Sequence, residues 1–179
     1  MKKIILISLI FLLHFNYTHA LIEVDITRGN LDPLPIAVSP LHVDIQSDGI
    51  SKTETKELGN KISEIIEKNF LATGLFNPLE KDAFVQKPDI AHLKPRFEDW
   101  RLIKAQALIT GKVLIKDSKL KVEFRLWDLT ASKEIMALAF TTTPSNWRRV
   151  AHIISDKIYE RLTGETGYFD TRIIYVSEA

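Results

Sequence analysis

A mixed α/β domain, with a β-sheet of about five strands and two main helices packed on it, is the fold class this sequence predicts. Three observations predict it. Residues 53–71 and 147–162 repeat apolar side chains at i, i+3 and i+4, the spacing that gives a helix one buried stripe. Residues 105–142 carry three successive strand patterns joined by short polar turns. The 179 residues, 45% of them apolar, supply the core of one domain, for which about 100–200 residues is usual.

In chain order, the first twenty residues read as a signal peptide. Lys2 and Lys3 form a short positive region, Ile4 to Leu13 is an apolar run, and Thr18-His19-Ala20 ends in the small residue a signal peptidase accepts. The run is roughly half of the ~20 apolar residues that a membrane-spanning helix needs, which favours cleavage over an uncleaved anchor. The chain has no cysteine. An exported product therefore holds no disulfide and no lipidated cysteine, and the mature chain is expected to start near Leu21 as a soluble protein. Losing Lys2 and Lys3 leaves 22 basic against 23 acidic residues, so no concentrated basic face for nucleic acid is expected.

The mature chain opens with Leu21-Ile-Glu-Val-Asp-Ile26, in which Ile22, Val24 and Ile26 alternate with charged or polar residues. Such alternation gives a strand with one apolar face. It suits either an edge strand of the domain's own sheet or a terminus that detaches and adds to another protein's sheet edge.

Pro35 to Leu41 reads as a buried strand, which Pro40 places at an edge or brings to an end, since proline cannot donate to a ladder. Asp44 to Lys52 is a polar loop. It partly imitates a calcium loop, but Gln46 and Thr55 stand where that loop needs carboxylates. The first helix turns Leu58, Ile62, Ile65, Ile66 and Phe70 inward and stops at Gly74. A short extended piece at Phe76 to Leu79 precedes an irregular stretch, Lys81 to Pro95, where Pro88 and Pro95 are expected to break any helix. A short helix over 97–104 then carries Phe97, Trp100 and Ile103 inward.

Ala107 to Ile115 is nearly all apolar and reads as a strand covered on both faces, or nearly so. Asp117-Ser118 makes a tight turn. Leu120, Val122, Phe124 and Leu126 then alternate with charged residues, and Ile135 to Thr142 completes a meander. On this alternation Trp127 falls on the outward face with Arg125, either as an interface residue or beneath a neighbouring domain. The last helix buries Trp147, Val150, Ala151, Ile154, Ile158 and Leu162, with Ser145 expected to cap it and Gly164 and Gly167 to end it. Arg172 to Val176 reads as one more strand. Its partners should follow Ala179, so the chain reads as cut just inside a second domain.

Catalytic motifs are not found. His42, His92 and His152 share no metal-ligand spacing, and neither a phosphate loop nor a nucleophile elbow occurs. His152 and Asp156 sit at i and i+4, which is best read as a helix-surface pair. No enzyme activity, metal or cofactor is expected.

The run from Lys157 through Gly164, Gly167 and Phe169 to Val176 resembles the junction, in the TolB family of Gram-negative periplasmic proteins, between an amino-terminal α/β domain and a β-propeller. Pro35-Ile-Ala-Val-Ser-Pro40, Thr73-Gly-Leu-Phe-Asn-Pro78 and Trp147-Arg-Arg-Val-Ala-His152 match in the expected order. The resemblance covers the chain after its first twenty residues. It implies a signal peptide at 1–20, the amino-terminal domain at 21–164, and a linker with the first strand of a truncated propeller at 165–179. It further implies a periplasmic adaptor of the Tol-Pal system, supporting outer-membrane integrity, protein transport and cell division. Its partner TolA would bind at Leu21, Ile22, Glu23, Val24, Asp25 and Ile26. The Pal lipoprotein would bind only through the missing propeller. The segment from Thr110 to Asp128 also resembles a wider group of envelope-assembly proteins. An adaptor of that group, or the front of a propeller-containing hydrolase, is the rival reading.

Overall fold

The computed structural model describes Ile22, Val24 and residues 32–44 and 52–171. The expected signal peptide and the expected strand at 172–176 lie outside the described residues. Among the described residues, six strands form one mixed sheet, in line with the expected α/β fold: β1 (Leu34–Val38), β2 (His42–Val43), β3 (Phe76–Pro78), β4 (Ala107–Lys116), β5 (Lys119–Asp128) and β6 (Lys133–Thr142). Their order is β3-β1-β4-β5-β6, with the two-residue β2 also paired to β4. β1 runs parallel to β3 and β4, and β4-β5-β6 is an antiparallel meander. Pro40 therefore ends a central strand and does not mark an edge.

Two long helices, α1 (Lys52–Thr73) and α4 (Trp147–Thr163), cover one face of the sheet. Their stripes meet alternate strand residues, and Ile36, Val38, Ile62, Ile66, Phe70, Ile109, Phe124, Leu126, Ile154 and Ile158 are all buried in this principal core. Gly74 and Gly164 follow the two helices with φ of 68° and 76°, left-handed values that favour glycine. At the other end of α4 the expected cap is replaced. A 3₁₀ turn at Pro144–Asn146 leads into the helix, and the Ser145 hydroxyl pairs with that of Thr143. Gly167 does not end the helix either. It lies so close to the backbone of Asp156 that a Cβ there would collide with it.

Segment 81–104 lies on the opposite face, over part of the sheet, and contains the short helices α2 (Pro88–Ala91) and α3 (Phe97–Leu102). Pro88 starts α2 instead of breaking a helix, since the first helical position needs no N–H donor. Trp100, Ala105, Leu108, Leu129 and Trp127 form a second, smaller core under this segment. Leu108 is thus buried, whereas Lys112, farther along the same face of β4, is only partly covered. β4 is accordingly sandwiched along its first half alone. Asp117 and Ser118 both have positive φ, the backbone of the two-residue turn that suits a twisted hairpin.

Candidate functional site

Asp128 closes β5 with a carboxylate that is wholly buried. Both oxygens have donors. Oδ1 accepts the Ala131 N–H at 2.8 Å, closing the turn into β6, and Oδ2 accepts the Ile22 N–H at 3.0 Å. Nearby, the Val24 N–H donates to the Leu162 carbonyl at 2.7 Å. That carbonyl belongs to the last turn of α4, where no intrahelical donor is available. Val24 is buried and Ile22 partly buried, both against the principal core. Ile22 and Val24 are therefore held at the ends of β5 and α4.

Of the six expected partner-binding residues, the structure describes Ile22 and Val24; Leu21, Glu23, Asp25 and Ile26 lie outside the described residues. The site residues that sequence reasoning missed are Asp128 and Leu162. Asp128 reads in sequence as the polar start of a turn, and only its contact with Ile22, 106 residues away, makes it part of this site.

His152 and Asp156 do not act as a pair. His152 Nδ1 lies 3.0 Å from Asn69 Nδ2, and the Asp156 carboxylate accepts the N–H groups of Phe169 at 2.7 Å and Asp170 at 3.1 Å. Asp156 thereby folds residues 167–170 back onto α4. Phe169 reaches Tyr159, with ring centroids 5.8 Å apart, and Arg149 pairs with Asp170.

Trp127 lies on the expected face of β5 but has a different cover from either expectation. It is 8% exposed, its indole N–H donates to Thr110 Oγ1 at 2.9 Å, and its ring meets Phe97. The chain's own segment 81–104 covers it. Trp127 lies opposite Leu108 of β4 in the second core while Leu126 lies in the principal one, so the alternation of β5 holds and its outward face is covered here; the register shift at Leu126/Trp127 leaves out Ile135 on β6.

His42 and His92 stack with ring centroids 4.3 Å apart and planes 4° from parallel. Desolvation, then the facing His92, holds His42 below the ordinary histidine range, with Lys112 acting the same way and Asp89 and Asp44 opposing. Among the described residues, no group of three or more histidine, aspartate or glutamate side chains is placed to hold a metal ion, and no helix is long and apolar enough to cross a membrane.

A mixed sheet with two long helices on one face and a smaller covering segment with two short helices on the other defines the class: an α/β domain. Comparison with known proteins narrows this. The sequence model of the TolB amino-terminal domain matches residues 22–135, and the chain belongs to that family. The Tol-Pal system protein TolB of Pelagibacter ubique is 70% identical over 161 residues, covering 89% of this chain and 36% of that relative. The chain thus spans about a third of the relative's length. Among solved structures, TolB from Acinetobacter baumannii superimposes with a TM-score of 0.62 at 20% identity, covering 83% of this chain and 33% of that one. That likeness shows the fold alone. The PelC dodecamer subunit from Paraburkholderia phytofirmans aligns with a TM-score of 0.44 at 16% identity over 73% of this chain and 88% of its own.

Proposed function

We propose that this chain is a binding component of the Tol-Pal system in the periplasm, engaging TolA through its mature amino terminus, Leu21 to Ile26. The supporting observation is the way this segment is held. Its described residues donate main-chain N–H groups to Asp128 and Leu162, so the same donors are free to pair with a partner's sheet edge once released. Alternate apolar residues at Ile22 and Val24 supply the side-chain specificity such pairing needs. Family membership supports the choice of system, and the signal-peptide pattern read at 1–20 supports the compartment. The role in outer-membrane integrity and cell division follows from that system. Pal is assigned to the propeller of the longer relatives, with residues 165–179 as the linker and first propeller strand. No catalytic step is assigned to this domain.

The test is a binding titration of the purified chain against the carboxy-terminal domain of the cognate TolA, repeated with residues 21–26 deleted. Binding that disappears on deletion supports the assignment. Equal binding by both forms rules out the amino terminus as the site.

A further inference from the structure

β6 closes one side of the sheet and pairs with β5 from Leu120↔Thr142 to Asp128↔Lys133. Its other side has no strand among the described residues. At ten residues it is long for an edge, the usual strand having about 5–6. Natural edges are blunted by charge, proline or a bulge, because a bare row of N–H and C=O groups templates further pairing. β6 has such protection only at its start. Lys133 and Glu134 are charged, the irregularity opposite Leu126/Trp127 follows them, and Arg161 Nε donates to the Ile135 carbonyl at 3.4 Å. From Met136 to Thr142 the strand has no charge, no proline and no glycine, and Leu138 is 41% exposed.

The sequence of this edge complements itself. Turned antiparallel about Leu138, a second copy sets Leu138 against Leu138, Ala137 against Ala139, and Met136 against Phe140. Residues directly opposite share a face in an antiparallel pair. Met136 and Phe140 already pack against the principal core, so their face becomes one apolar strip across both copies. Lys133 and Glu134 then meet Thr143 and Thr142, and no like charges are opposed. The N–H groups of Ile22 and Val24 are already engaged at Asp128 and Leu162. We propose that Met136–Thr142 is a self-association edge: two copies pair antiparallel about a two-fold axis at Leu138, forming one continuous sheet. Such a contact is isologous and closes at two copies.

Sedimentation of the purified chain from micromolar to about 100 µM tests this, since mass action must populate the dimer as concentration rises. Leu138→Lys opposes two ammonium groups across the axis; a monomer with unchanged circular dichroism and melting temperature is expected. Because the chain has no cysteine, single substitutions report register directly. Leu138→Cys should form a disulfide-linked dimer under mild oxidation, whereas Glu134→Cys should not. A wild-type chain that stays monomeric, a dimer that survives Leu138→Lys, or equal cross-linking by both cysteine variants overturns the proposal. So does a monomer that binds an added strand-forming peptide at this edge, because the occupant is then another chain.

Discussion

The backbone N–H of Ile22 donates to Asp128 Oδ2 at 3.0 Å, joining the amino-terminal segment to the end of β5 across 106 residues. A single carboxylate therefore both closes the β5–β6 turn, through Ala131, and holds the backbone of Ile22. Asp128→Asn leaves one good acceptor for two N–H donors. A buried donor without a partner costs about 1–3 kcal/mol, and the looser Ile22 contact should yield first. Amide exchange is the measurement. Ile22 and Val24 should lose protection while the strands of the meander keep theirs. If release precedes binding, the variant should also bind TolA more tightly, by the factor through which the released population rises. Unchanged protection at Ile22 would contradict the role given to Asp128.

The stacked His42–His92 pair makes stability depend on pH. His42 is held below the 6.5 of an unfolded histidine. Below about pH 6.5 the unfolded chain thus binds more protons at this position than the folded one, so stability present above that pH declines as pH falls through the folded pKa. Urea midpoints at pH 7.5 and pH 5.5 should differ less in His42→Gln than in the wild type. A histidine NMR titration should place the His42 midpoint below 6.5, and a midpoint at or above it contradicts this account.

Gly111 sits in β4 where Leu41 and β5 close in. A Cβ there would come within 2.9 Å of Leu41 Cδ2 and nearer still to the Glu123 carbonyl, which belongs to the sheet backbone and cannot swing away. Gly111→Ala should cost about 1–3 kcal/mol as overpacking in a close-packed interior, or more. Chemical denaturation with an unchanged m-value is the check. A loss of only a few tenths of a kcal/mol means that β4 and β5 separate easily.

Trp127 tests the second core. Trp127→Phe keeps most of the ring packing against Phe97 but removes the donor to Thr110 Oγ1, leaving a buried hydroxyl short of one partner. About 1–3 kcal/mol of stability should be lost. Thr110→Val added to that variant should recover part of it, because both polar partners are then gone. Were Trp127 instead an interface residue, the single substitution would leave stability near wild type.

Two kinds of information divide this protein. The sequence by itself determined the two long helices, the antiparallel meander, the Asp117-Ser118 turn and the glycines that stop α1 and α4. These are set by spacing along the chain, 3.6 residues per turn or two per pleat, and by residues whose φ preferences are intrinsic. The motifs around Pro35, Thr73 and Trp147 carried the family in the same local way. Tertiary structure alone decided what covers Trp127, because segment 81–104, which closes over that face of β5 with Phe97 and Trp100, carries no periodicity that ties it to the strand. It alone turned Asp156 away from His152 toward the backbone of Phe169 and Asp170, and gave Asp128 the N–H of Ile22 as a partner. A carboxylate's acceptor capacity is written in the sequence. Which donor fills it depends on segments that meet only when helices and sheet have packed, and periodicity holds no record of that meeting.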